Sequence, residues 1–203
     1  MKPQTKLVVG LGNPGEQYRH SPHNMGFAVV ERMARRLGVE LTRHRAHSLC
    51  ASAAVGDIAT VGDIKVWLIQ PQTFMNLSGK SVAQWLEIED RGPEDLIVVY
   101  DELDLPWGRL QIRQQGGSAG HNGMESIIAS IGTKHFARLR VGVGAEHKGD
   151  PVTYLLKPAS LARRKDLELI ADQGAEAVER MIRDGVAKAM NHVNRKAEEE
   201  AKN

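Results

Sequence analysis

Six apolar runs of strand length, separated by stretches of helical period, constrain this 203-residue chain more than any other feature. The strand candidates are 6–10 (KLVVG), 47–55, 65–70 (KVWLIQ), 96–100 (LIVVY), 109–114 (RLQIRQ) and 138–143 (RLRVGV). Helical patterns lie at 24–37, 80–89 and 123–131, and a long one covers roughly 160–190. Strands alternating with helices of this length predict an α/β fold: a single three-layer domain whose twisted, mixed and largely parallel central sheet is flanked by helices. The runs at 47–55 and 58–69 are close enough for a hairpin, which makes the sheet mixed. Residues 1–195 are expected to form the one domain, with 196–203 a polar, frayed tail.

The first helix carries a readable start. Ser21-Pro22 offers a capping hydroxyl before a proline at the first helical position. Met25, Val29, Met33 and Leu37 follow at intervals of four and predict one buried stripe. His23 then falls in the first turn, an unusual place for a structural histidine.

Composition narrows the partners. No apolar run approaches the ~18 residues of a membrane span, and MKPQTKLVVG is too short and lacks the cleavage site of a secretory signal. Cys50 is the only cysteine, so an internal disulfide is impossible and a cytoplasmic location is expected. Net charge is only +2, but between Arg109 and Lys148 six Lys/Arg face two acids, Glu125 and Glu146. A local basic face on a near-neutral chain suits a phosphate-bearing partner.

Several motifs fail on context. Gly10-Leu-Gly12-Asn-Pro-Gly15 fits the GxGxxG dinucleotide fingerprint, but Pro14 and a polar run intervene before the helix, and the acid expected about 20 residues on is replaced by Arg35 and Arg36. Gly79-Lys80-Ser81 resembles the end of a phosphate-binding loop, yet position 74, where glycine is required, is Phe. The pairs His20/His23 and His44/His47 lack companions at metal-ligand spacing. There is no GxSxG elbow, and Cys50 lies inside a strand pattern, so no covalent nucleophile is indicated.

What survives gathers at one sheet edge. Asn13, Asn76 and Asp101 each lie just past the carboxyl end of a different strand candidate, where open α/β sheets bind ligands. The loop Gly116–Gly123, with His121 and Asn122, also joins a strand to a helix. Each residue has an ordinary alternative: a turn residue at Asn13, a helix cap at Asn76, a loop acid at Asp101, a surface histidine at His23. Taken together they fit water-mediated hydrolysis of a neutral acyl group. A neutral imidazole takes a proton from water while a carboxylate holds its tautomer. Amide and loop N–H groups hold the acyl group and its oxyanion.

The segments VVGLGNPGEQYRHSPHNMGF, QPQTFMNLSGKSV, VVYDELDLPWG, GGSAGHNG and RLRVGVG resemble, in order and spacing, the bacterial peptidyl-tRNA hydrolases over nearly the whole chain. The resemblance implies a monomer that cleaves the ester joining a peptide to tRNA, without a cofactor, a metal or an obligate protein partner. It implies that His23 is the general base, that Asp101 stabilises its basic form, and that Asn13 discriminates N-blocked from free aminoacyl-tRNA. Tyr18, Phe74, Asn76 and Asn122 would line the groove for the peptide and the 3′ end of the tRNA, with Met75 and His121 as neighbours. Arg113 and Arg140 match positions that grip tRNA phosphate. The chain departs from the family pattern at Pro22, where arginine is usual, and at Ala145–Lys148. A non-catalytic RNA-binding relative of the same fold is the rival reading; it has no need of His23, Asp101 and three asparagines.

Overall fold

A computed structural model describes residues 4–56, 64–144 and 149–200, with side chains as far as 195. Among these, seven strands form one sheet in the order β2-β3-β4-β1-β5-β7-β6. They are β1 (Thr5–Gly10), β2 (Arg43–Arg45), β3 (Ser48–Val55), β4 (Ile64–Pro71), β5 (Leu96–Pro106), β6 (Leu110–Arg113) and β7 (Ala137–Gly144). The centre (β4, β1, β5, β7) is parallel, and the pairs β2–β3, β3–β4 and β6–β7 are antiparallel. The mixed, mainly parallel sheet expected from the alternation is therefore present.

Apolar residues on both faces of the central strands account for the three layers, because successive side chains point to opposite sides. Val8, Val66, Leu68, Ile97, Val99 and Leu139 join a core with α1 (Met25–Arg36) and α5 (Leu161–Arg183). Leu7, Val9, Trp67, Ile69 and Val98 join a second core with α2 (Ser78–Glu89) and α3 (Asn122–Ile131). Met25, Val29 and Met33 are buried, and Leu37 packs half-buried at the end of the same stripe.

Two glycines, one of them in the rejected nucleotide fingerprint, serve α1. A Cβ on Gly10 would come within 2.1 Å of the Gly26 carbonyl oxygen, and one on Gly26 within 2.3 Å of Leu11 N and Val99 O. Only a glycine pair lets the start of α1 lie directly on the ends of β1 and β5. That contact brings the residues just before α1 to the strand ends.

Four expectations need correction. The Ser21 hydroxyl caps nothing; it donates back to the Tyr18 carbonyl at 2.8 Å, and Pro22–Asn24 form a 3₁₀ turn leading into α1. The long helix at 160–190 is two, α5 and α6 (Val186–Glu200), broken at Gly185, whose φ of 84° cannot continue a helix. Helix α6 also carries on through 196–200, where a polar tail was expected; 201–203 lie outside the described residues. Strand β5 extends beyond 100 to Pro106, so Asp101 is a strand residue and not a loop acid. The hairpin is present as β3–β4, and its connection at 57–63 lies outside the described residues.

Two elements were missed by sequence reasoning. Strand β2 is Arg43-His44-Arg45, joined to β3 by a two-residue turn in which Ala46 (φ 48°) and His47 (φ 55°) are both left-handed. Such turns favour Asn-Gly. Replacing His47 by glycine should therefore raise stability by about 1 kcal/mol. In thermal unfolding this reads as a midpoint about 2–4 °C higher; an unchanged or lower midpoint would show that the turn carries no strain. Helix α4 (Pro151–Leu156) is short, but Asp150-Pro151 was a usable start signal: Asp150 caps the helix by accepting from Thr153 N at 2.8 Å.

Candidate active site

The crevice exists because β1 stops while β5 continues. Gly10 is the last β1 residue, paired with Val99, whereas β5 runs on beside β7 with Asp101 opposite Val141. Asp101 shares the parity of Ile97 and Val99, so it projects to the α1 side. There it meets His23. The His23 Nδ1 lies 3.0 and 2.9 Å from the two Asp101 oxygens, and the residues are only 8% and 2% exposed.

A second histidine holds the same carboxylate. His121 Nε2 is 3.1 Å from Asp101 Oδ1, while its Nδ1 accepts from the Gly123 and Met124 backbone N–H groups as the N-cap of α3. An Nδ1 that accepts two backbone donors carries no proton, so the His121 proton sits on Nε2 and is donated to Asp101. Asp101 thus accepts a hydrogen bond from each ring. His23 in turn donates from Nδ1 and leaves its Nε2 lone pair free as a base.

Electrostatics agrees with this assignment. Burial raises the Asp101 carboxyl, but the two imidazoles and the hydrogen bonds they donate outweigh it and hold the group well below the usual carboxylate range. For His23, burial is the largest influence and lowers the pKa; the Asp101 charge and hydrogen bond together reverse this, leaving it above the ordinary 6.5. A base with a raised pKa keeps its proton to a higher pH. The acid limb of the pH–rate profile for kcat/KM is therefore expected to have its midpoint above 6.5. A limb at or below that value would contradict the pairing.

Asn13 is fixed at three points. Its backbone N–H donates to Asn24 Oδ1 at 2.8 Å, and its carbonyl accepts from Asn24 Nδ2 at 3.0 Å. Its side-chain oxygen accepts from Met75 N at 2.9 Å. With Oδ1 occupied, only the amide N–H groups remain, and Asn13 lines the same groove as His23. Asn24, which makes this clamp, was missed by sequence reasoning, although its place beside His23 was a signal.

The groove has a volume of about 540 Å³. His23, Asp101, Asn13, Met75 and His121 form its base, and Phe74, Asn76 and Asn122 stand exposed at its rim. Asn76 caps no helix, since the residue flanking α2 is Leu77. Leu155 and Leu156 of α4, with Val152, provide an apolar wall. Helix α4 is tied down where Ala159 N donates to His20 O at 2.9 Å and the Tyr154 hydroxyl donates to Val143 O at 2.7 Å. Tyr18, expected in this groove, is not among its lining residues; it sits in a 3₁₀ turn, Glu16–Tyr18.

The basic face is smaller than its residue count implies. Arg138 is 1% exposed and donates to Gly117 O and Lys134 O at 3.1 and 2.9 Å, so it anchors the glycine loop that carries His121 and Asn122. Burial lowers its pKa. Arg140 is held by Glu102 Oε2 at 2.7 and 2.9 Å. Nothing in the sequence marks either arginine as internal, because Arg138 is paired by loop carbonyls and Arg140 by a neighbouring strand. Arg113 and Lys134 are exposed, and Arg109 is half-buried. Glu146 and Lys148 lie outside the described residues.

His23, Asp101 and His121 offer three possible metal-ligand atoms within 4.8 Å of one another. A cation at His121 Nε2 would have to displace the proton that the helix-capping role of Nδ1 places there, or break both capping bonds. The same three groups already satisfy one another as donors and acceptor.

A buried carboxylate against a histidine, with amide groups beside it in a groove at the strand ends, is the kind of arrangement that hydrolases use. Comparison with known proteins gives the family. The family model described as peptidyl-tRNA hydrolase matches residues 7–201. The peptidyl-tRNA hydrolase of Koribacter versatilis is 40% identical over 195 residues, covering 95% of this chain and 94% of that one. That of Solibacter usitatus is 42% identical, covering 94% and 95%. The crystal structure of peptidyl-tRNA hydrolase from Acinetobacter baumannii aligns with a TM-score of 0.79 at 32% identity over 94% of each chain. The chain belongs to the peptidyl-tRNA hydrolase family.

Proposed function

We propose that this enzyme hydrolyses the ester between a peptide, or an N-blocked amino acid, and the 3′ end of a tRNA, releasing free peptide and reusable tRNA. The observation that carries this reading is Asp101 held between His23 and His121 at the base of the groove, in a chain of this family. His23 Nε2 takes a proton from water, whose oxygen attacks the ester carbonyl. Collapse of the tetrahedral intermediate breaks the bond to the 3′ oxygen, and that oxygen receives the proton from His23. The Asn13 amide N–H groups face the acyl side, where they donate to an amide carbonyl or oxyanion and disfavour a free ammonium.

The RNA side lies toward β6 and β7. Arg113, Lys134 and Arg109 offer phosphate contacts there. Arg140 is engaged on all three nitrogens, by Glu102 and Gln111, and is left out of this set. Exposed Phe74 gives a terminal base a ring to stack on, with Asn76 and Asn122 beside it. The reaction needs no metal, because the His121 tautomer and the Asp101 hydrogen bonds are complete without one. The enzyme acts as a cytoplasmic monomer: the base, its carboxylate and the groove come from one chain, and the single thiol, Cys50, is buried. Among the described residues no helix is long and apolar enough to cross a membrane.

The test is release of labelled acyl-amino acid from N-acetylated aminoacyl-tRNA and from the same tRNA with a free amino group, both in EDTA. Rapid cleavage of the blocked substrate alone is expected. Absence of cleavage with tRNA still bound would favour the RNA-binding reading; loss of activity only in EDTA would overturn the metal-free mechanism.

A further inference from the structure

Just past Asp101, strand β5 departs from the register of its partner. Glu102 pairs with Gly142 and Pro106 with Gly144, so β5 takes four residue steps where β7 takes two. The resulting bulge lies against the two glycines. A Cβ on Gly144 would come within 1.9 Å of Leu103 O, and one on Gly142 within 2.0 Å of Pro106 O. Glu102, Leu103 and Asp104 line the groove beside Asp101. Bulges of this kind re-aim side chains next to active sites.

An unbroken series of hydrogen bonds runs from this bulge to the RNA side. The buried Glu102 carboxylate accepts from Asp104 N at 3.2 Å through Oε1. Through Oε2 it accepts from Arg140 Nε and Nη2 at 2.9 and 2.7 Å. Arg140 Nη1 donates to the Oε1 of Gln111, the residue opposite it on β6. The same amide oxygen accepts from Arg113 Nε at 3.1 Å, and Arg113 is exposed.

Stability alone does not account for Gln111. Glu102 already balances the charge of Arg140, whereas the shared amide oxygen draws a second guanidinium toward the first, and like charges repel. An anion at Arg113 relieves that repulsion. A side-chain amide oxygen has two lone pairs, and both are taken here. When a phosphate draws Arg113 away, the bond from Arg140 to Gln111 therefore changes, and through Glu102 so does the hold on the groove wall.

We propose that Gln111 and Glu102 are positioning residues that join Arg113 to the groove wall beside Asp101, so that contact with the body of the tRNA raises kcat; this rests on the peptidyl-tRNA reading above. The test compares kcat on N-acetylated aminoacyl-tRNA with kcat on the same acyl group esterified to adenosine alone, which carries no phosphate. The unaltered enzyme should favour the tRNA. Gln111→Met should lower kcat on the tRNA about fivefold and leave the adenosine ester unchanged, with folding checked by thermal melting. Gln111→Glu, which keeps an acceptor oxygen at the same reach, should restore the tRNA value. Arg113→Met should lower kcat on the tRNA by a similar factor, and combining it with Gln111→Met should add no further loss. That double variant decides even where the adenosine ester turns over too slowly to measure. Equal kcat of the unaltered enzyme on both substrates, equal losses on both in Gln111→Met, no loss on either, or additive losses in the double variant would overturn the coupling. If the unaltered enzyme cleaves neither substrate, the peptidyl-tRNA reading itself has failed.

Discussion

Replacing His23 by alanine should lower kcat by about 10³–10⁴-fold while leaving tRNA affinity nearly unchanged. The reason is the division of labour in the groove. His23 offers the free Nε2 lone pair beside Asp101, whereas the cations proposed to meet phosphate, Arg113 and Lys134, are exposed on other segments. The side chain is also buried, so truncation leaves space that water fills without supplying a base of matching pKa. Single-turnover release from N-acetylated aminoacyl-tRNA, with tRNA binding measured by anisotropy, separates the two effects. Near-normal turnover would remove His23 from the mechanism, and a parallel fall in affinity would make its role structural.

Asp101→Asn is expected to be almost as damaging, about 10³–10⁴-fold in kcat, through a tautomer trap. His121 donates from Nε2 because its Nδ1 caps α3. In the variant that donor claims the amide oxygen and turns the amide NH₂ toward His23 Nδ1. His23 must then accept at Nδ1 and carry its proton on Nε2, where the base is needed. The acid limb of the pH–rate profile should also move down, because the carboxylate that raised the His23 pKa is gone. Adding His121→Asn, which keeps a side-chain oxygen to cap α3, frees the amide at position 101 to turn. The double variant is expected to recover about tenfold over Asp101→Asn alone. No recovery would show that His121 does not set the orientation.

Much of this arrangement was legible in the order of residues. Apolar runs alternating with helical periods imply a parallel-centred sheet, because strands buried on both faces need apolar residues at every position. Asn13, His23 and Asp101 could be gathered at one edge because parallel strands present their carboxyl ends together, whereas the His121-Asn122 pair reaches that edge by a loop climbing back from antiparallel β6. The stripe of α1 followed from its four-residue spacing. Strand β2 was invisible because three polar residues at an edge carry no burial signal, and the break between α5 and α6 rests on one glycine within an otherwise helical run.

Other features depend on which chain segments become neighbours. Gly10 and Gly26 are distant in sequence, yet Gly10 is glycine because the Gly26 backbone occupies the space of a Cβ, and Gly26 because the Leu11 and Val99 backbone does. Arg138 and Arg140 read as phosphate-binding cations until folding brings the glycine-loop carbonyls to one and Glu102 to the other. Asn24 reads as a bystander until its amide closes on the Asn13 backbone. The sequence by itself therefore determined the fold class and the chemical groups at the active edge, because periodicity and residue type are local properties. Only the tertiary structure decided which cations remain free and which histidine tautomer is held, because each depends on contacts between residues far apart in the chain.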